Sequence, residues 1–265
     1  MTSASVESPL QVLCLLCCLS TVARLLRLRL WRVYPFFFSF LCVSLVLLSA
    51  LVYYGSGSTT FFWTYAYVEP VRNIIYILVV WELFSAVFRT YAGLRSLSRW
   101  VMGIAAAIAP IGLLLTLLAP ASRLTHGRVM RVLRFERGIT FGLVIFMIIL
   151  LYFISKYPIK LPRNVVVLCI LYSIWFLSDS ALLLSVSFLP EGYGNLVNDG
   201  LAVFQIGCYM GWTVLLSKTG EYREMRVRHN ISPERERLLI AELDTMNDVL
   251  VRAGRSISHS RSGGS

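Results

Sequence analysis

The feature that most constrains this chain is a succession of apolar segments, each about 20 residues long, separated by connectors that carry most of the arginines. An α-helix of that length crosses the hydrocarbon core of a bilayer and satisfies its own backbone hydrogen bonds there. Composition agrees, because only 15% of the residues are charged, against about 25% in soluble domains. The pattern predicts an all-α fold, a polytopic membrane helix bundle with a short cytoplasmic C-terminal helix.

Seven segments meet this description, and the basic residues orient them. With the N-terminus outside and the C-terminus cytoplasmic, 14 Lys and Arg residues lie inside and five outside, all five between Arg123 and Arg137. Inner loops are enriched in Lys and Arg. The count therefore favours this orientation over its inverse, and over a six-span alternative with a re-entrant fourth segment. The Arg123–Arg137 connector violates the rule. The predicted spans are Pro9–Ala23, Tyr34–Tyr54, Val68–Phe88, Trp100–Ala119, Gly138–Ile154, Asn164–Phe188 and Leu196–Leu216.

This topology accounts for the net charge of +11. Because the arginines lie between apolar spans, we expect the lipid bilayer of a plasma or inner membrane as the partner, and no nucleic acid. The six cysteines lie inside apolar runs, where cysteine acts as a small apolar side chain. We expect neither a disulfide framework nor a metal.

The third predicted span is apolar but carries Glu69, Arg72, Asn73 and Glu82. A charged side chain at the centre of a span costs ~2.5–3.5 kcal/mol on insertion scales. Such groups usually face protein, water or each other. We therefore interpret this segment as an interior helix of the bundle.

The candidate site joins three spans in the outer half of the bundle. Arg72, Asp179 and Gln205 lie at similar depths in the predicted topology, with Glu69 at the mouth. Three interpretations stay open: a structural interhelical pair, a ligand or ion site, and a proton relay. At the inner side, Glu82 is expected to pair with Arg89 or with an arginine of a neighbouring loop.

Catalytic groups are scarce. The histidines are His126, His229 and His259, and none lies in a predicted span. This argues against bis-histidine haem and against an intramembrane serine or zinc protease. We expect no enzyme activity and no cofactor.

The C-terminal tail has a helix signature. Ser232, Pro233 and Glu234 form a helix start with a capping hydroxyl, proline in the first turn and an early acid. An apolar stripe follows and predicts a helix over 233–252 that packs on the bundle, on a membrane surface, or on a protein partner or second copy. The predicted organisation is a membrane domain over 1–218, a cytoplasmic tail over 219–255 and disorder over 256–265. The stripe consists of Leu239, Leu243, Met246 and Leu250.

Three segments carry a resemblance: VVWELFSAVFRTYAGLRSLSRW, FERG and ERLLIAELDTMNDVLVRAGR. They resemble a family of bacterial seven-transmembrane-helix proteins that has no known activity. The resemblance implies the seven-span fold and no particular chemistry.

Two functions compete. The first is a receptor-like sensor or interaction protein with an outward-facing polar site. The second is a small-solute transporter or channel built of two three-helix halves, because Tyr34-Pro35 and Tyr157-Pro158 both open a span after a basic loop. A membrane enzyme and a purely structural role are less favoured.

Overall fold

A computed structural model describes residues 9–55, 58–89, 125–156, 160–188 and 194–226, with tail positions 234, 238, 241–242, 244–245, 247–249 and 252. The all-α prediction is confirmed. Within the described residues, strands β1 (Lys160–Pro162) and β2 (Glu224–Arg226) pair in antiparallel fashion. The helices are α1 (Pro9–Leu28), α2 (Pro35–Tyr54), α3 (Thr59–Val87), α4 (Thr125–Lys156), α5 (Arg163–Phe188) and α6 (Gly194–Leu215), with 3-10 turns at Leu30–Arg32 and Thr219–Glu221.

These helices form a closed ring in chain order. Each helix packs against the next, α6 packs against α1, and α3 also contacts α5. Helices α3 and α4 run in the same direction, because Phe84 and then Phe88 of α3 contact Phe146 and then Phe153 of α4. Helices α1 and α6 are also parallel, because Cys14, Thr21 and Arg24 of α1 contact Gln205, Thr213 and Leu216 in turn. The remaining neighbours in the ring are antiparallel.

We name the two ends of the bundle by one residue each. The Arg24 end carries the C-termini of α1, α3, α4 and α6 and the N-termini of α2 and α5. The Ser58 end carries their opposite termini, including the short turn between α2 and α3.

Local signals explain several helix boundaries. Helix α2 begins with Pro35, which suits a first turn because that position needs no N–H donor. It ends at Tyr54, and the next residue, Gly55, has a φ of 75°, which favours glycine. Ser58 then caps α3, because its Oγ accepts a hydrogen bond from Thr60 N at 3.2 Å. Beyond α1, Arg29 takes a left-handed conformation with a φ of 58°.

The exterior of the bundle is apolar, as expected for contact with lipid. Within the described part of the chain, four segments are long and apolar enough to cross a bilayer, and Gly142–Lys156 is a shorter apolar one. The four segments are Pro9–Leu28, Pro35–Tyr54, Thr59–Val87 and Arg163–Ala181. The prediction of a polytopic helical membrane protein is therefore confirmed at this coarse level.

The helices differ from the predicted spans in three places. Helix α1 runs past Ala23 to Leu28, and α3 begins at Thr59 and not at Val68. Helix α4 begins at Thr125, well before the predicted Gly138. The backbone from Arg128 to Arg137 is therefore helical, which corrects the interpretation of those residues as a connector. The predicted span Trp100–Ala119 lies outside the described residues.

Aromatic rings fill the centre of the bundle and form what we call the aromatic layer. Its eight residues come from α2, α3, α5 and α6, and each is at most 3% exposed. Neighbouring ring centroids lie 5.0–6.1 Å apart, mostly tilted or edge to face. The layer consists of Phe37, Phe40, Tyr76, Tyr172, Trp175, Phe176, Tyr209 and Trp212.

The chain after α6 stays attached to the Arg24 end. Arg163 N donates to Arg223 O at 3.1 Å, and β2 pairs with β1 just before α5. Residues 219–226 are thus part of the folded bundle end. Further on, the described tail positions between 234 and 252 include helical ones. The four stripe residues and 256–265 lie outside the described residues.

Candidate functional site

The predicted site begins with an ion pair inside α3. Arg72 donates from Nε and Nη2 to Oε1 of Glu69, at 3.0 and 2.6 Å. The Glu69 side chain is fully buried and that of Arg72 is 15% exposed. Residues three apart share one helix face, so each charge stabilises the other where neither could be buried alone. The partner seen for Arg72 is therefore Glu69, which the sequence interpretation had placed at the mouth.

Tyr76 lies between the ion pair of α3 and the neighbouring helix α5. The Arg72 guanidinium lies 5.6 Å from the Tyr76 ring centroid, within the range of a cation–π contact. On the other side, Trp175 Nε1 donates to Tyr76 Oη at 3.2 Å. Tyr76 therefore connects the ion pair of α3 to α5, and its ring belongs to the aromatic layer.

Asp179 lies one helical turn beyond Trp175 on α5 and is 6% exposed. Because Trp175 contacts Tyr76 and α3 and α5 are antiparallel, Asp179 lies one turn from that contact toward the Ser58 end, as Arg72 does on α3. Arg72 and Asp179 therefore lie at a similar level on facing helices, in the half of the bundle nearer the Ser58 end, and their common site stays a prediction.

Gln205 makes a different contact. Its Oε1 accepts a weak hydrogen bond from Cys14 Sγ at 3.7 Å, between α6 and α1. The described contacts of Gln205 link those two helices and do not include Arg72. The position of Gln205 in the sequence gives its depth in the membrane, but it does not give the face of α6 on which Gln205 lies.

The backbone at the start of helix α4 lies at the same level as this site. Phe84 contacts Phe146, and Glu69 lies 15 residues before Phe84, or about 22 Å along the axis. The same step back from Phe146 along the parallel helix α4 reaches Arg131. The backbone of the arginine-rich segment therefore lies level with Glu69.

Glu82 does not pair with Arg89. Its two carboxylate oxygens accept hydrogen bonds from the backbone of α2, Oε1 from Phe36 N at 3.3 Å and Oε2 from Phe37 N at 3.0 Å. Arg89 is exposed. A carboxylate at a helix N-terminus satisfies free N–H groups and complements the helix dipole. Glu82 therefore ties α3 to the start of α2.

A second polar cluster at the Arg24 end was not foreseen. Tyr34 Oη donates to Glu221 Oε2 at 2.9 Å, and Asn164 Nδ2 donates to the same oxygen at 3.1 Å and to Ser217 O at 2.8 Å. Burial, and then the charge of Glu221, raise the pKa of the Tyr34 phenol well above its ordinary value. A signal existed: Glu221 is an acid in a basic connector and Asn164 opens a span.

The fold and sites together define an integral, multi-pass helical membrane protein with two buried polar clusters separated by the aromatic layer. No family model, curated protein or solved structure matches the chain. The comparisons therefore give no support to the resemblance to seven-span bacterial proteins, and the structure supports only a helical, apolar, polytopic architecture.

Proposed function

We propose that this protein is a seven-span, receptor-like membrane sensor whose polar site around Tyr76 faces outward. The observation that carries the proposal is the buried Glu69–Arg72 pair beside Tyr76, whose hydroxyl accepts a hydrogen bond from Trp175, one turn before Asp179 on α5. Charges are retained inside a bundle at a cost, so they mark functional positions by default.

Chain connectivity supports seven spans. Helix α3 ends at the Arg24 end, and α4, which is parallel to it, begins at the opposite end. Residues 90–124 join these two points, which supports the proposal of one more crossing. The predicted Trp100–Ala119 span has the length and apolarity for that crossing.

The orientation follows from the basic residues. Arginines concentrate after α1 and α3 at the Arg24 end, which the positive-inside rule assigns to the cytoplasm. The arginines at the start of α4 precede its apolar part, Gly142–Lys156, and remain an exception to the rule. Reporter fusions at Gly57, Gly93, Gly192 and the C-terminus should report outside, inside, outside and inside. A C-terminal reporter active outside would overturn the orientation.

An anionic or zwitterionic small molecule fits the proposed site best. Arg72 supplies a guanidinium that is held in place by Glu69 and lies over Tyr76. A fixed guanidinium favours carboxylate or phosphate groups, and Asp179 adds a buried carboxylate on the facing helix.

Sensing is favoured over transport by the aromatic layer. Its rings are at most 3% exposed and pack at contact distance between the two polar clusters. A transporter must open this layer in every cycle, whereas a sensor needs only to shift it. A solute transporter or channel remains the alternative, and an enzyme is not expected.

The test is a stability screen on the full chain in lipid nanodiscs. The probes are amino acids, dicarboxylates and sugar phosphates, one at a time. A ligand at 100 times its Kd raises stability by about 2.7 kcal/mol. We expect one class to stabilise the wild type and Arg32→Gln, but not Arg72→Gln. Equal stabilisation of Arg72→Gln, or no stabilising class at all, would contradict the site. Accumulation of the stabilising ligand in proteoliposomes would favour transport.

The tail is proposed to carry the response. The predicted stripe on the 233–252 helix would dock on the bundle or on a protein partner, including a second copy. Changing Leu243 and Met246 together to Ser should abolish tail protection from protease. Unchanged protection would contradict docking.

A further inference from the structure

An open cleft lies between α1 and α6 at the Arg24 end. Its volume is about 480 Å³, and it is lined by Ala23, Arg24, Arg27, Leu28 and Thr213. Two of its five lining residues are arginines and none is acidic. The cleft is separate from both polar clusters, and the proposed sensor function does not use it.

Both arginines have N–H groups that make no hydrogen bond to the described part of the protein. Arg24 is held by hydrogen bonds from Nε and Nη2 to Leu216 O, at 3.4 and 3.1 Å. A guanidinium has five N–H donors, so three remain after these two bonds. Arg27 is exposed, and in the described part of the chain no protein acceptor takes a hydrogen bond from it. The cleft therefore presents one oriented and one adaptable cation to an anion.

An exposed apolar track leads from the cleft along the bundle. On α1, Leu16, Leu19 and Ala23 follow at spacings of three and four, which places them on one face. On α6, Met210 and Val214 are four apart and are 54% and 67% exposed. Both rows run from the cleft toward the middle of the membrane helices. A ligand with a charged head and long apolar chains would satisfy both parts of this surface.

The floor of the cleft is closed by hydroxyl contacts. Thr213 Oγ1 lies 2.8 Å from Thr21 Oγ1 and 3.4 Å from Ser20 Oγ. These bonds join α1 to α6 beneath the arginines. A head group in the cleft therefore stays at the surface of the bundle, at the depth where the arginines end the apolar helices.

We propose that this cleft binds the phosphate-bearing head group of an anionic phospholipid, with the acyl chains lying along the apolar track. Arginine binds phosphate through parallel N–H donors, and basic pockets at membrane helix ends are suited to anionic lipid heads. A soluble phosphate compound would use the arginines but leave the track uncovered, so the combined surface fits a lipid.

The test measures lipid retained by the full chain after release from nanodiscs of equal parts phosphatidylglycerol and phosphatidylcholine, by native mass spectrometry. We expect one retained phosphatidylglycerol per chain. Arg27→Gln should lower retention about fivefold, the factor that corresponds to ~1 kcal/mol per basic residue near a membrane surface. Arg32→Gln removes the same charge at the same end but outside the cleft lining, and should retain lipid as the wild type does.

A second variant leaves the charge unchanged. Ala23→Phe fills the cleft from an exposed helix position and should also lower retention. Equal retention of phosphatidylcholine, or equal losses in Arg27→Gln and Arg32→Gln, would overturn the proposal. Displacement of the lipid by millimolar glycerol phosphate would overturn it in favour of a soluble phosphate ligand. A folded Ala23→Phe with wild-type retention would overturn the assignment of the cleft.

Discussion

Gly220 gives the most quantitative prediction, because its environment leaves no room for a side chain. A Cβ at this position would overlap Asn164 Oδ1 and lie 3.0 Å from both Asn164 Cγ and Ser217 Oγ. Gly220 does not have a positive φ, so glycine is required here by space. We therefore expect Gly220→Ala to displace the Asn164 amide.

The cost follows from the bonds of that amide. Asn164 is fully buried, donates to Ser217 O and Glu221 Oε2, and accepts from Ser217 N at 3.3 Å. Its backbone cannot easily yield, since the neighbouring Arg163 N is bonded to Arg223 O. A hydrogen bond contributes about 0.5–1.5 kcal/mol, and more to a charged group. Losing two or three of them predicts a loss of roughly 2–4 kcal/mol for Gly220→Ala.

The assay is unfolding of the full chain in mixed micelles by a rising mole fraction of denaturing detergent, followed by circular dichroism. Gly207→Ala is the matched control, because nothing lies within 4 Å of its added Cβ. As a helical glycine it should gain about 0.5–1 kcal/mol. Gly211→Ala meets only the flexible end of Leu171 at 3.1 Å and should fall between the two.

A double variant isolates the cause. If Gly220→Ala acts through Asn164, then adding it to Asn164→Ala should cost much less than it does alone, because neighbours that share an interaction are not additive. Full additivity would refute the argument from the amide. A Gly220→Ala protein as stable as Gly207→Ala would refute the packing argument as a whole.

Three further predictions use the same assay. Glu82→Ala should cost about 1–3 kcal/mol, because two N–H groups of α2 lose a charged acceptor; an unchanged midpoint would contradict the capping role. Tyr34→Phe should cost roughly 1.5–3 kcal/mol through its bond to Glu221, and full stability would show that the bond contributes nothing. Tyr172→Phe should be neutral or stabilising, because its buried hydroxyl lacks a protein partner among the described residues. Tyr76→Phe should be destabilised, because it loses a hydroxyl that accepts a hydrogen bond from Trp175. The reverse order of stabilities would contradict both assignments.

The helical architecture was predictable because bilayer length and apolarity are local properties of sequence. The start of α3 was not, because Thr59 to Tyr67 is aromatic and polar enough to be interpreted as interfacial. Its helical start depends on the Ser58 cap and on continuity into the apolar run. The helical backbone at Arg128 was missed for a related reason, since charge was taken as evidence for a loop.

The candidate site was predictable in depth but not in direction. The number of residues from the end of a span gives the depth of a residue, and the contact of Trp175 with Tyr76 places Asp179 and Arg72, each one turn away on antiparallel helices, at a similar level. The face on which a residue lies depends on how neighbouring helices are rotated, which sequence alone does not define. That is why Gln205 contacts Cys14 and why the partner of Glu82 is a helix terminus.

The aromatic layer connects the two polar clusters in a way that bears on the proposed sensor. Tyr76 contacts Phe40 and Phe176, and Trp175 packs on Trp212 of α6 at 5.7 Å. Ser217 lies five residues after Trp212, and its carbonyl oxygen accepts a hydrogen bond from Asn164 at the start of α5. Close-packed rings cannot absorb a displacement locally, so a shift of Tyr76 on ligand binding would move α6 against α1 and α5. The chain leaves α6 directly into the Glu221 cluster and the tail, where such a movement would alter the region proposed to dock.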